Sequence, residues 1–267
     1  MLLGLPALAL AAAPGIAVIA AVSAVRGIGF AFTVVAGGAI IATLIPPERR
    51  GEGLGLYGVG AGLPSVLALP LGVWLAGRIG YAAALVRPAI TFTVTAMAAG
   101  AAITFVPLAL VRAPVVLAPA ALLAQPAAAT VARWLAGRHG DRHGPARLLL
   151  PGTAATVLGV LGVAICLAVC PVAIVAAMAL FGAGFGAVQN STQVLMYRRA
   201  RPGGYAAVSA MWNVAYDGGL GLGGAGFGVL AAHGSYPVAF GLTATLMLVA
   251  LLPAWRDRGP AAVRIDP

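Results

Sequence analysis

The chain alternates between long apolar segments and short connections that carry most of its arginines. Eight of the apolar segments are long enough to cross a bilayer as helices, and a shorter one stands at the beginning. The segments lie at about 15–45, 53–77, 88–111, 114–136, 147–168, 171–196, 204–232 and 235–254, with the short one at 2–13. The pattern predicts an all-α membrane protein, a polytopic bundle of about 8 full transmembrane helices plus one partial helix.

Composition agrees with this pattern and excludes an ordinary soluble domain. The chain is 61% hydrophobic and 8% charged, and its mean hydropathy is +1.02. A soluble domain carries about 25% charged residues. The apolar segments are rich in Ala, Gly and Leu and are too long for the short, β-rich strands of a buried sheet.

The net charge of +10 comes from arginine alone, because the sequence contains no lysine. The arginines form short clusters between apolar segments and no continuous basic face, so we expect no nucleic-acid partner. The clusters fall in the connections 46–52, 133–147 and 197–204 and in the tail 255–267, whereas the junctions at 13–14, 170–171 and 233–237 have none. The positive-inside rule predicts that these three loops and the C-terminus are cytoplasmic. We expect a multi-pass protein of the cell (plasma) membrane.

Counting the crossings reveals an inconsistency in the first third of the chain. If 53–77 and 88–111 are consecutive spans, the loop 133–147 falls on the non-cytoplasmic side, against the charge rule. One more crossing between Arg78 and Arg87 would restore the rule, but the stretch between them is too short to span. We expect that a helix is missing there relative to a parent architecture, or that 53–77 does not cross completely.

An internal repeat supports a transporter with two related halves. Residues 26–60 and 181–213 share a span, a basic turn and a Gly-rich second span. The superposed positions are Gly27, Gly29 and Phe30 with Gly182, Gly184 and Phe185. Structurally repeated halves are typical of secondary transporters.

Several stretches resemble the major facilitator superfamily. RGIGFAF…PPERRGEGLGLYG resembles its fourth helix, cytoplasmic turn and fifth helix, and FGAGFGAVQN and WNVAYDGGLGLG resemble the tenth and eleventh helices of bacterial efflux-type members. AGRHGDRHGPAR resembles the cytoplasmic signature G-x-x-x-D-[RK]-x-G-[RK]-[RK]. Matching residues are Gly137, Asp141, Arg142 and Gly144; Pro145 and Ala146 depart from the pattern, and Arg147 restores one charge. We expect this segment to act as a cytoplasmic gating loop that bonds helix ends in one conformation.

The resemblance implies a shortened permease. Residues 1–87 would be the remnant of the N-terminal half, with helices resembling 3–5, and residues 88–267 the C-terminal half, with helices resembling 7–12. The antiporter motif of the fifth helix survives only as Pro70 and Gly72. The implied function is proton-coupled efflux of small organic solutes by alternating access, with the lipid bilayer, a small-molecule substrate and protons as partners. The alternative is a truncated or degenerate fragment without transport activity of its own.

Asp217 is the leading candidate for coupling. It is the only charged residue between Arg201 and Arg256, in a segment predicted to cross the membrane. Intramembrane acids usually face a protein interior or a watery cavity, where they can take up and release protons. The other interpretation is structural: Asp217 would tie helices together through Trp212, Asn213 or Tyr216.

Further polar residues are candidates for substrate contacts. Arg26 could bind an anionic group or extend to the outer interface. Gln189, Asn190 and Gln193 form a polar turn that could contact substrate, although the favoured interpretation is helix-to-helix hydrogen bonding. Asn213 shares a helix face with Asp217. The glycine pairs 219/223 and 224/228 have the spacing of closely packed helices.

The sequence indicates neither an enzyme nor a metal or cofactor site. No nucleophile–base arrangement is present. Cys166 and Cys170 lie one helical turn apart without a nearby His, Asp or Glu, and we expect them to be packing residues. His139 and His143 lack a third ligand, and we expect them to be solvated loop residues.

Overall fold

The computed structural model describes residues 82–200 and 204–257 and seven earlier residues. The chain divides into two compact units, residues 1–57 and 58–267. In the first unit, all the described residues except Gly15 are helical, in agreement with the predicted apolar helix at 15–45. Those residues are Gly15, Val18, Ala21, Val22, Val25, Ile28 and Gly29.

The described part of the second unit is helical throughout, with short turns and no strand. The helices are α1 (Ala82–Ala109), α2 (Leu117–His143), α3 (Leu149–Val169), α4 (Ile174–Arg198), α5 (Tyr205–Ala232), α6 (Tyr236–Met247) and α7 (Leu251–Asp257). Single 3-10 turns lie at Pro145–Leu148, Pro171–Ala173 and Leu248–Ala250. This confirms the all-α class and the six predicted helical segments from residue 88 onwards, since α6 and α7 together form the last one.

Four of the helical segments are long and apolar enough to cross a membrane. They are Leu85–Ala109, Pro145–Val169, Pro171–Arg198 and Tyr236–Asp257. Helices α2 and α5 contain 27 and 28 residues, so each is about 40 Å long. They are not among the four: α2 ends in a strongly charged segment, and α5 carries a carboxylate at its centre. The remaining predicted spans, at 2–13 and 53–77, and nearly all of 15–45 lie outside the described residues.

Glycines bring the helices together and reveal their directions. A Cβ added to Gly219 would lie 2.6 Å from the Thr93 carbonyl oxygen, and one added to Gly223 would overlap the Met97 carbonyl. From the first contact to the second, the residue number increases by four in both helices, so α1 and α5 run parallel. The predicted role of the 219/223 pair in close packing is confirmed, whereas Gly224 and Gly228 would make only ordinary contacts.

Helix α4 lies between α2 and α3. Gly182 and Gly186 contact the backbone of α2 at Gln125 and Ala129, so α2 and α4 are also parallel. On its other side α4 packs against α3, where Gly159 adjoins Phe181. Consecutive helices therefore alternate in direction, as expected of a polytopic bundle.

One end of the bundle gathers the arginines, and we call it the arginine end. Asp257, 3% exposed at the end of α7, accepts a hydrogen bond of 3.0 Å from Arg199 Nη2 at the end of α4. Arg87 Nη1, near the beginning of α1, lies 3.6 Å from the same carboxylate oxygen. Helix α1 therefore starts at the end where α4 and α7 finish, as the charge rule requires for these helices. Arg112, exposed at the opposite end, is an exception to this distribution of arginines.

The predicted loop 133–147 is largely wrong. Helix α2 continues through its charged segment to His143 and stops at Gly144, whose φ of 90° is unfavourable for other residues. Pro145 then begins the short 3-10 turn that leads into α3. Hydropathy predicts a loop here because it follows only the apolar part of a helix. The connection 197–204 is shorter than predicted for the same reason, since α4 extends to Arg198.

An aromatic cluster forms the core between α1, α4 and α5. Phe92 is fully buried, and its ring centroid lies 4.6 Å from that of Trp212, 5.7 Å from Tyr216 and 6.1 Å from Phe185. Phe181 extends the cluster along α4, 6.0 Å from Phe185. These stacked rings fix how α5 is rotated against α1 and α4, and thus which of its residues face outward.

Candidate functional site

Asp217 lies near the middle of α5 and points away from the helices that pack against it. Its side chain is exposed in the part of the chain that the structure describes. Gly219 and Gly223 face α1, and Trp212 and Tyr216 belong to the aromatic cluster, so the packed side of α5 is already occupied. The carboxylate is therefore at mid-helix, as expected, and on an open side of the bundle.

Asp217 has no helix-tying contact within the described residues. Asn213, one turn earlier and also exposed, donates its side-chain Nδ2–H to the Ser209 carbonyl 2.8 Å away. Trp212 and Tyr216 stack on Phe92 and on each other, with 5.9 Å between their own ring centroids. None of these three neighbours bonds to the carboxylate, so the structural interpretation of Asp217 has no described contact to support it.

Arg133 approaches this region from α2. It is exposed, and both it and Asp217 lie close enough to the Tyr216 hydroxyl to interact with it electrostatically. Arg133 and Asp217 themselves do not form an ion pair within 4.0 Å in the structure. Arg133 is not among the predicted site residues, because the sequence pattern groups it with the arginines of the predicted loop. One signal was available in the sequence: Arg133 precedes Arg138 by five residues, and so lies further from the charged end of the helix.

Helix α4 contributes two half-buried amides. Asn190 lies opposite Gly137 of α2, where an added Cβ would be 3.6 Å from its Nδ2, and Gln193 follows about one turn later. Gln189 is 7% exposed and is turned further into the bundle. The residues of the predicted polar turn therefore differ in exposure: Asn190 and Gln193 are half-buried, whereas Gln189 is buried.

These observations place exposed or half-buried polar side chains on α2, α4 and α5, and α4 contacts both of the other helices. We use the name "polar face" for one set of residues. The set is Arg133 of α2, Asn190 and Gln193 of α4, and Asn213 and Asp217 of α5. All are exposed or half-buried in the described part of the chain, within helices otherwise built from apolar side chains. Such a face offers charge of both signs and hydrogen-bonding groups to a ligand or to water.

The residues of the family-like signature surround the end of α2. Asp141 and Arg142 are exposed in its last turn, Gly144 ends the helix, and Arg147 is exposed in the following turn. Gly137 lies earlier in α2, against Asn190. The signature is therefore a helix end and a turn, and its predicted gating role stays a prediction.

Two pairs, His139 with His143 and Cys166 with Cys170, contain residue types that bind metal ions. His139 and His143 are helical, a correction to their predicted loop position, and their rings stack at 4.4 Å. Cys166 is half-buried and Cys170 exposed. Among the described residues, no three His, Cys, Asp or Glu side chains come together to hold a metal ion. Arg26, Pro70 and Gly72 lie outside the described residues.

Comparison of the chain with protein-family models and with curated proteins found no match. Its functional interpretation therefore rests on the helix bundle and on the polar face.

Proposed function

We propose that this chain is an integral membrane secondary transporter of the major facilitator type, which exports small organic solutes in exchange for protons. In this proposal it spans the plasma membrane about eight times, with the arginine end in the cytoplasm. Four helical segments that can cross a membrane support the membrane location. The arginine connections favour a cytoplasmic position for their end of the bundle.

The exposed carboxylate of Asp217 is the observation that carries the proposal. It lies at mid-helix on the polar face, one turn after Asn213 of the same helix. Intramembrane acids that face a cavity serve as proton relays in pumps and transporters. In the proposed cycle, Asp217 holds a proton or a substrate in turn as the cavity opens to either side.

The other members of the polar face would orient the solute. Asn190 and Gln193 offer both donors and acceptors, and Arg133 would attract an anionic group or balance the charge of Asp217. Arg26, which lies outside the described residues, stays a further candidate for contact with an anionic group. The helix end that carries Asp141 and Arg142 would control opening at the cytoplasmic side.

Transport by reconstituted protein tests the proposal. Proteoliposomes with an imposed pH gradient would be loaded with ethidium or tetraphenylphosphonium as cationic probes. Gradient-driven probe movement is expected for the wild type, loss of at least about 90% for Asp217→Asn, and partial retention for Asp217→Glu, which keeps the carboxyl group. Leu222→Asn serves as the control, because it adds an amide on another exposed side of α5.

Two outcomes would argue against the proposal in different ways. Equal gradient-driven transport by wild type and Asp217→Asn would refute the coupling role. Absence of transport of both probes by correctly inserted wild-type protein would favour the alternative, a fragment without transport of its own.

A further inference from the structure

A basic cleft lies at the arginine end, beside the last three turns of α2. Its volume is about 480 Å³, and Arg138, Arg142, His139 and His143 line its outer part. Its apolar lining consists of the buried Ala136, the half-buried Ala132, Leu148 and Ala187, and the exposed Leu135. No carboxylate is among the residues that line it. The cleft thus has a cationic mouth and an apolar floor.

The position of the cleft along the membrane normal follows from the exposed aromatic residues. Trp134, Tyr205 and Trp255 are large exposed aromatic side chains, and all lie towards the arginine end of their helices. Trp and Tyr are enriched at the level of the lipid headgroups. Arg138 extends over the Trp134 ring, with its guanidinium carbon 5.0 Å from the ring centroid. The cationic mouth is therefore at headgroup depth and the apolar floor just inside it.

The cationic groups are arranged to meet a phosphate. Arg138 and Arg142 are one helical turn apart and both exposed, so their guanidinium groups can approach one anion together. His139 and His143 stack beside them and supply further ring N–H groups. His143 Nδ1 lies 3.3 Å from the His139 carbonyl, so its Nε2 is the nitrogen left to face a ligand.

We infer that this cleft binds one anionic phospholipid. Its phosphate would lie between Arg138 and Arg142, and an acyl chain would cover Leu135, Ala136 and Ala132. A soluble phosphate would use the cationic mouth but leave the apolar floor exposed to water, which is unfavourable at this depth. The site is separate from the polar face, because Arg133 and Gly137 lie on another side of α2 and do not line the cleft.

Native mass spectrometry of the purified full chain tests the inference. The protein would be titrated with phosphatidylglycerol and with phosphatidylcholine carrying the same acyl chains. Each arginine near an anionic lipid contributes about fivefold in affinity. The double variant Arg138→Gln/Arg142→Gln is therefore expected to bind phosphatidylglycerol about 25-fold more weakly, and either single variant about fivefold more weakly.

The control is a second double variant, which removes two positive charges from the same arginine end of the bundle. Arg198→Gln/Arg256→Gln removes two exposed arginines that do not line the cleft, and it is expected to keep the wild-type affinity within about twofold. Ala132→Trp tests the apolar floor separately, because the indole would occupy the place of the acyl chain. It is expected to weaken lipid binding while both arginines remain. Circular dichroism and gel filtration confirm that each variant is folded.

Three results would overturn the inference. The first is equal binding of the two lipids by the wild type. The second is an equal loss of phosphatidylglycerol in the control pair, which would indicate general attraction to a basic surface. The third is displacement of the lipid by excess inorganic phosphate together with no effect of Ala132→Trp, which would indicate a phosphate site without a lipid chain.

Discussion

Replacing Gly223 by alanine tests how closely α1 and α5 are packed. The two helices meet at Gly219 and Gly223, and an added Cβ at 223 would overlap the Met97 carbonyl of α1. That contact is with backbone, so no side chain can rotate away to make room. The helices would have to separate, which would loosen the aromatic cluster around Phe92 as well.

The magnitude follows from comparison with Gly226 on the same helix. Nothing lies within 4 Å of a Cβ added there in the structure. Both replacements gain the same helix propensity, about 1 kcal/mol, so this contribution cancels in the comparison. Overpacking costs about 1–3 kcal/mol and applies only to Gly223→Ala. The two variants should therefore differ by about 1–3 kcal/mol in the free energy of unfolding, with Gly226→Ala the more stable.

Denaturation by SDS in mixed micelles, followed by circular dichroism, measures this difference. Gly226→Ala is expected to unfold at the same or a higher SDS fraction than the wild type, and Gly223→Ala at a lower fraction than Gly226→Ala. Equal stability of the two variants within about 0.3 kcal/mol would refute the close approach of α1 and α5.

Two further replacements test the core and the arginine end by the same denaturation assay. Phe92→Ala should lower the free energy of unfolding by about 3–5 kcal/mol, because the ring is fully buried among stacked aromatics. Ile90 is 44% exposed, so Ile90→Ala should lower it by less than about 1 kcal/mol. Similar losses for the two variants would contradict the position of the core. Asp257→Ala should cost about 3–5 kcal/mol, because it leaves the mostly buried Arg199 without this carboxylate. The exposed Arg256→Gln should change stability by less than about 0.5 kcal/mol, and an equally small effect of Asp257→Ala would show that the ion pair does not hold the helix ends.

The positions of the helices could be predicted from the sequence because each one contains an apolar segment long enough to be recognised by hydropathy. Every apolar segment predicted after residue 88 is helical in the structure. The ends were less predictable, and α2 shows why. Its last turns are polar, so hydropathy placed them in a loop, while the backbone continued as helix until Gly144 required another conformation. Hydropathy reports where a helix leaves the membrane, and glycine and proline report where it ends.

The pairing of helices could not be predicted, because it depends on which face of each helix is turned inward. The glycine pairs 219/223 and 224/228 have the same spacing, yet only the first meets a neighbouring backbone. Likewise, Asp257 and Arg199 are 58 residues apart, and nothing in the sequence pattern connects them. Only the folded arrangement shows that Asp257 joins the ends of α1, α4 and α7.

The candidate site was predictable in part. A single acid within an apolar segment is visible in the sequence, as is the i,i+4 relation of Asn213 to Asp217. The contribution of Arg133 was not, since the sequence does not show that Arg133 and Asp217 both act on the Tyr216 hydroxyl. The polar face is thus a property of the bundle and not of one segment.

Cysteine accessibility tests most directly whether the polar face lines a water-filled path. In a background with Cys166 and Cys170 replaced by serine, Asp217→Cys and Leu222→Cys would each be treated in membranes with an impermeant, charged methanethiosulfonate. Both positions are exposed in the described bundle, but they lie roughly 140° apart around α5. The account predicts rapid labelling at 217 and little at 222, where the side chain would face lipid. Equally slow labelling at both positions would contradict it, because Asp217 would then lie out of contact with water.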